Sequence, residues 1–335
     1  MIIPRKPWNK KKSPRRILAI RLQAMGDLVI TLPYLQALRN AFPSAKLDLL
    51  TLEENKSIPQ SIELFDRIYS VRGYRNFKKQ LAFAFLLLPK ILIRRYDVVL
   101  DLQNNLISRM VRKVVMPRAW SEFDRFSTFA AGERTQLTIE AIGLGQNLPV
   151  SRFILKEILN PQEVLKKNGW DGISAIVILN PAGAFETRNW PLKNYADFAK
   201  LWLNIFPATQ FLVLGVNAIA AKADYFKTVL GDNFINLVNK TLPAEAFAII
   251  QSAKFVLSED SGLMHMAWVS GIPTLAMFGS TNTRSRPLGN HTILLDSSDL
   301  ECGNCMLEFC KYGDTHCLNR YTPEIVFEKA VTLLH

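Results

Sequence analysis

The chain has 335 residues, 49% of them hydrophobic and 21% charged. That length fits two domains, and that composition excludes a disordered tail, a collagen-like chain or a small disulfide scaffold. The net charge of +12 is unevenly spread, with +15 in residues 1–170 and −3 in residues 171–335. A basic half joined to a near-neutral half points to two jobs, one of them facing an anionic partner such as a phosphorylated substrate, a nucleic acid or an acidic membrane surface.

In chain order, the leader MIIPRKPWNKKKSPRR comes first, with seven basic residues in 16 and no acidic one. It reads either as a solvated arm or as a patch resting on anionic lipid. The apolar run after it stops at Arg21, so it lacks a signal-peptide core, and no stretch reaches the roughly 18 apolar residues of a membrane span. The nearest, residues 81–93, is interrupted by Pro89 and Lys90. A cytoplasmic address follows.

ILAIRL (17–22) reads as a strand, and Gly26 to Phe42 as an amphipathic helix with Leu28, Leu32, Leu35 and Leu38 at helical spacing. Strands are expected over 46–51, 67–71 and 96–102, with helices from Phe77 to Arg95, bent or split at Pro89, and from Thr135 to Leu144. Residues 151–172 change style and read as a linker. A second alternation follows, with strands at 175–180, 210–215, 234–238, 254–259 and 272–279. Between them fall helices at Leu192–Phe206, Pro243–Ser252 and 261–270, and a last helix runs from Pro323 to His335. Alternating strands and helices predict βαβ units, hence two Rossmann-like halves with ligands at the carboxyl ends of the strands. The division is a basic arm (1–16), a first domain (17–150), a linker (151–172), a second domain (173–322) and the terminal helix (323–335).

Three segments are candidates for chemistry. In RLQAMGDLVITLP (21–33), Asp27 opens a helix after a strand-to-helix turn. Spacing alone favours an N-terminal cap over a general base. In SEDSGLMHMAWVSGIPTLAMFGST (258–281), Ser261, Gly262 and Leu263 would present free backbone N–H groups at a helix start, an anion site suited to a diphosphate. Gly262 in the first turn needs a reason, since glycine weakens a helix. His265 by itself reads as a packed, hydrogen-bonded histidine. In LNPAGAFETRNWPLKNY (179–195), the small residues Ala182, Gly183 and Ala184 let backbone approach phosphate, and Arg188 is either a surface arginine or a counter-charge for a leaving group. The chain has no P-loop, no strand followed by G-x-G-x-x-G and no Asp-x-Asp pair of the kind that holds Mg²⁺.

Together, in this order, these segments resemble glycosyltransferase family 9, the ADP-heptose:lipopolysaccharide heptosyltransferases. The carriers are RLQAMGDLVITLPYLQALRNAFPSAKLDLLT, LNPAGA with RNWP, SEDSGLMHMAWVSGIPTLAMFGST and the tail CGNCMLEFCKYGDTHCLNRYTPEIV. The resemblance implies an α/β protein of GT-B fold, two Rossmann-like domains with parallel sheets facing across a cleft, an acceptor domain followed by a donor domain. It implies inverting, metal-independent transfer from an ADP-sugar, ADP-heptose, to the lipopolysaccharide inner core, with no cofactor. Asp27 becomes the base that deprotonates the acceptor hydroxyl, with Gln23, Met25 and Gly26 in the loop on the acceptor side. Arg188, standing where members commonly carry lysine, stabilises the departing diphosphate. Asp260 binds hydroxyls of the donor sugar. Gly183, Ala184, the Ser261–Leu263 amides and His265 complete the donor site. Past the strand 210–215, GVNAIAAKAD lacks the acid that members often place there for the ribose.

The charge division fits a basic acceptor half and a peripheral location on the cytoplasmic face of the inner membrane. The alternatives are a GT-B enzyme acting on another nucleotide sugar, by transfer or epimerisation, and a nucleic-acid-binding protein. Against the last, the sequence has no RNP, KH or helix-turn-helix pattern. Cys302, Cys305, Cys310 and Cys317, a C-x₂-C-x₄-C-x₆-C series, read as reduced structural thiols or a local stitch ahead of a zinc site.

Overall fold

The computed structural model of the protein describes residues 3–145, 148–156 and 160–334. The chain divides into two compact units, residues 1–156 and 157–335.

The first unit runs β1 (Arg5–Lys6), β2 (Arg16–Ile20), α1 (Met25–Ala41), β3 (Lys46–Leu52), α2 (Ser57–Ser61), β4 (Arg67–Val71), α3 (Phe77–Leu92), β5 (Val98–Asp101), α4 (Leu106–Val115), β6 (Ala119–Glu122) and α5 (Ala131–Glu140). Its sheet order is β1-β6-β5-β2-β3-β4. β2 to β6 are mutually parallel, and β1 adds to the edge antiparallel, Arg5 opposite Ser121 and Lys6 opposite Trp120. The described part of the basic leader is therefore tied down. Glu122 N donates to Pro4 O, and Trp8 N donates to Ile142 O.

The second unit runs α6 (Pro161–Lys167), β7 (Ala175–Asn180), α7 (Leu192–Ile205), β8 (Thr209–Gly215), α8 (Ala220–Leu230), β9 (Phe234–Val238), α9 (Pro243–Ile250), β10 (Phe255–Glu259), α10 (Gly262–Val269), β11 (Thr274–Met277), β12 (Thr292–Leu295), α11 (His316–Asn319) and α12 (Pro323–Thr332). All six strands are parallel, in the order β12-β11-β10-β7-β8-β9. α6 falls inside the stretch read as a linker, of which residues 157–159 lie outside the described residues, as does His335 of the last helix.

α3 continues through Pro89 to Leu92, neither ended nor split there, and Ile93 N donates back to Pro89 O at 3.2 Å. α4, β6, α8 and β12 were not expected. α4 is short and basic, and its start is fixed by a reciprocal cap: Asn105 N donates to Ser108 Oγ and Ser108 N to Asn105 Oδ1, each at 2.9 Å. No helix among the described residues is long and apolar enough to cross a membrane.

The core of the second unit is aromatic. Trp202 of α7 stacks on Phe255 of β10 with ring centroids 5.1 Å apart, and Phe327 of α12 meets it edge-on at 6.3 Å. α12 thus closes the unit by covering α7. Burying such rings removes 150–250 Å² each from water, roughly. Trp202→Ala should lower the stability of this unit by about 3–5 kcal/mol, read as a shift in the urea midpoint by far-UV circular dichroism. An unshifted midpoint would show that the stack carries little of the stability.

Candidate functional site

In each sheet the strand order reverses once. β2 lies between β3 and β5, and β7 lies between β8 and β10. The turns after the two strands at a reversal diverge, which opens a crevice at the carboxyl edge. The sequence-selected residues follow these strands: Gln23, Met25, Gly26 and Asp27 after β2, Gly183, Ala184 and Arg188 after β7, and Asp260 to His265 after β10.

In the first unit, Asp27 stands in the opening turn of α1. Its Oδ2 accepts from Ala24 N at 3.0 Å and from Arg21 Nη2 at 2.9 Å. The capping geometry expected from spacing is real, and it leaves Oδ1 without a partner among these bonds on a side chain that is 41% exposed. Arg21 is buried, donates to Leu102 O and lies 5.0 Å from the Phe123 ring centroid, which Arg134 also faces at 4.9 Å. Burial pulls the Arg21 guanidinium down from its ordinary value, and the Asp27 charge opposes that shift. Gln103, after β5, fixes the turn: its Oε1 accepts from Leu22 N at 2.8 Å and Gln23 N at 2.9 Å. Gln23 is exposed in the turn, whereas Met25 and Gly26, expected in the loop, are the half-buried first residues of α1, because the cap falls at Ala24.

In the second unit, the loop after β7 folds over the end of β10. Arg188 Nη1 lies 3.6 Å from Asp260 Oδ2, with its guanidinium 4.6 Å from the Phe185 ring centroid. A Cβ on Gly183 would stand 2.5 Å from Arg188 O, so the close turn requires glycine there. Ala184 is exposed. Thr187 Oγ1 bonds Ser280 Oγ at 2.8 Å and donates to Leu307 O at 2.5 Å, fastening the loop to the tail. Ser261 caps α10, accepting from Met264 N at 3.4 Å. The Gly262 and Leu263 amides lie in the first turn, where no intrahelical acceptor exists. Gly262 is exposed and a Cβ there would meet no protein atom within 4 Å, so nothing in the chain itself demands glycine. His265 is buried, with Nδ1 accepting from Trp268 Nε1 at 3.2 Å.

Sequence reasoning missed Arg21, Gln103, Lys222 and Glu259. Glu259 is fully buried; Oε2 accepts from Gly183 N at 2.6 Å and Oε1 from Trp190 N at 2.7 Å. Burial pushes its carboxyl up to about 7, with Lys222 opposing. Lys222 Nζ donates to Pro181 O at 2.7 Å and to Asn189 Oδ1, and burial pulls it down from its ordinary value. The available signal was a charged residue ending the otherwise uncharged run FVLSE.

The four cysteines are free and line one cavity of about 270 Å³, with Thr187 and Ser280 on its wall. Burial first, then the neighbouring thiols, push the Cys317 thiol up. Among the described residues no group of three or more His, Cys, Asp or Glu is arranged to hold a metal ion.

This architecture has known counterparts. Residues 124–316 match the family model of Glycosyltransferase family 9 (heptosyltransferase). That stretch is more than half of the chain, and the chain belongs to this family. It is 30% identical over 165 residues to lipooligosaccharide heptosyltransferase 2 of Campylobacter jejuni, covering 48% of this chain and 51% of that one. The chain thus spans about half the length of that relative. Two solved structures share the fold. The glycosyl transferase family 9 protein of Veillonella parvula has a TM-score of 0.79 at 19% identity, covering 96% of this chain and 97% of that one. The E. coli ADP-heptose lps heptosyltransferase II has a TM-score of 0.72 at 18% identity, covering 95% and 98%. The fold is that of GT-B heptosyltransferases, as the resemblance implied.

The two glycines should part company on substitution. Gly262→Ala should raise thermal stability by up to about 1 kcal/mol, because the methyl enters open space and the helix gains a better former. Gly183→Ala should lower the melting temperature by forcing the loop away from Arg188 O. Equal melting temperatures for the two variants would contradict the packing described for Gly183.

Proposed function

We propose that the chain transfers a heptose from ADP-heptose to a sugar of the lipopolysaccharide inner core, with inversion and without a metal. The observation that carries this reading is the second unit's crevice: a half-buried arginine and the unpaired amides of a helix start flank a glycine turn. That set suits a diphosphate leaving group. Family membership and the ADP-heptose enzyme among the structural neighbours support the choice of sugar and nucleotide.

In this mechanism Asp27 takes the proton of the acceptor hydroxyl. Its Oδ2 is held by Arg21 and Ala24, and Oδ1 is left to receive the proton. The acceptor oxygen forms a bond to the anomeric carbon as the bond from that carbon to the diphosphate breaks. The electron pair leaves on ADP, and attack from the opposite face inverts the centre. Arg188 and the Gly262 and Leu263 amides stabilise the charge that develops on the diphosphate, the type of electrostatic contribution that is commonly the largest in such reactions. The 3.6 Å separation of Arg188 and Asp260 is that of a loose pair. It lets Arg188 turn to phosphate while Asp260 accepts hydroxyls of the sugar.

Asp27→Asn keeps an oxygen for Arg21 and Ala24, so it should fold and bind ADP-heptose normally while turnover falls 10²- to 10⁴-fold, roughly. Near-normal kcat would return Asp27 to a capping role. A second donor reading has one supporting observation: Val216 to Ala223, after β8, include no acid, the first being Asp224 within α8. Incubation with a panel of nucleotide sugars should release ADP; release of another diphosphate alone would overturn the ADP-heptose assignment.

We also propose peripheral attachment to the cytoplasmic face of the inner membrane. The support is a cavity of about 1200 Å³ at the amino-end edge of the first sheet, lined by Lys10, Lys11, Lys12, Arg15, Arg95 and Arg118 among others, with Asp97 the sole acid among the described residues that line it. Replacing Lys10, Lys11 and Lys12 by Gln should weaken binding to anionic vesicles about 100-fold, at about 1 kcal/mol per basic residue. Transfer to a lipid-free acceptor should be unchanged. Undiminished vesicle binding would move the attachment elsewhere, for instance to exposed Phe85, Leu86 and Ile93.

A further inference from the structure

We propose that Glu259 is a positioning residue of the donor site, its buried carboxylate clamping both ends of the 183–190 loop and so setting where Arg188 stands. The role assigned to Arg188 rests on the transferase reading above, whereas the clamp itself is a property of the fold.

β10 pairs with β7 so that Ser258 stands opposite Asn180, the last residue of β7. The next side chain, Glu259, therefore emerges where β7 has ended and its loop has begun. Each oxygen takes one backbone donor, Gly183 N at 2.6 Å and Trp190 N at 2.7 Å. The loop between these two anchors carries Arg188, and the neighbouring Asp260 meets that arginine from outside. One dipeptide thus supplies an inward carboxylate that fixes the loop and an outward carboxylate that faces the arginine. Burying a carboxylate is costly unless its lone pairs are filled, and backbone bonds to a charged acceptor are among the stronger ones.

The groups that face Glu259 are Lys222 of α8 and Tyr195 of α7. Lys222 braces the same loop from behind through Pro181 O and Asn189 Oδ1. The carboxyl has been raised by burial to about 7. The sign follows directly. Above that pH both oxygens accept as a carboxylate; below it one becomes a hydroxyl, a much weaker acceptor, and one of the two bonds of the clamp slackens. The loop is thus held at both ends in mildly alkaline solution and loosened in mildly acidic solution.

Amide hydrogen exchange tests the clamp without reference to activity. In E259Q one oxygen becomes an amide nitrogen, which cannot accept. Exchange across residues 183–190, corrected for intrinsic rates, should speed at least about tenfold, the consequence of losing one hydrogen bond to a charged group. Wild-type protein needs no variant: its loop should exchange faster at pH 6 than at pH 8 after the same correction, and E259Q should lose that dependence. Exchange in E259Q equal to wild type, or a wild-type loop indifferent to pH, would overturn the clamp. Where transfer is measured, kcat/KM for the donor should fall at least about tenfold in E259Q while KM for the acceptor stays unchanged. If the wild-type protein transfers no heptose, the functional reading fails and the exchange result still decides the clamp.

Discussion

A parallel sheet sends the carboxyl end of each of its strands to the same edge, and its order must reverse somewhere if the chain is to fill both sides of the first strand. At that reversal two turns lie side by side with nothing between them but their own side chains. Both units meet this constraint in the same way: a side-chain oxygen at or just past the end of the second strand of the pair accepts backbone N–H groups from the turn of the first. After β2 and β5, Gln103 Oε1 takes Leu22 N and Gln23 N. After β7 and β10, Glu259 takes Gly183 N and Trp190 N. The difference in chemistry follows from loop length. Two consecutive amides converge on one carbonyl oxygen, so a neutral amide suffices. Anchors seven residues apart need two acceptor atoms, and a carboxylate supplies them.

The two arginine–aspartate pairs in these crevices are built to different ends. Arg21 and Asp27 approach to 2.9 Å, with the arginine buried against Phe123 and Leu102 O. That guanidinium cannot leave its carboxylate without becoming an uncompensated buried charge, a loss of several kcal/mol. The pair therefore fixes one oxygen of Asp27 and directs the other outward. Arg188 and Asp260 stand 3.6 Å apart, and Phe185 supports the arginine from its ring face. A looser pair gives up less when an anion arrives between its members. On the proposed reading, the rigid pair would orient a proton acceptor and the looser one would open to a charged ligand.

The sequence made the alternation legible because the buried strands of parallel sheets are nearly continuous apolar runs, such as AIVILN and QFLVLG. It made the turns legible where glycine or a capping residue marked them, as at Gly183 and Ser261. α4 escaped because LISRMVRKVV alternates charge with apolar residues, and its start is declared only by the Asn105–Ser108 cap. β12 escaped because TILL is four residues long and only its last residue is buried, so the apolar signal was too brief to distinguish from a loop. Glu259 and Gln103 were hidden for a different reason. Their role is to satisfy backbone groups distant in sequence, and strand pairing, which local pattern cannot show, decides which amides they meet. The leader read as a free arm or a lipid-facing patch because its charge is local, while its pairing with β6 is long-range.

The basic cavity and Asp27 stand at opposite edges of the first sheet. The basic cavity of the first unit lies where strands begin, at Arg16 of β2 and Lys46 of β3, with Arg118 just ahead of β6. Asp27 lies beyond where β2 ends. A five-residue strand spans about 16 Å at 3.3 Å per residue, twice a Debye length of about 8 Å at physiological ionic strength. Exposed lysines at that distance are screened from the carboxylate. The cation in contact with Asp27 is the buried Arg21. The leader therefore carries its positive charge at the edge of the sheet opposite Asp27, separated from it by more than a screening length.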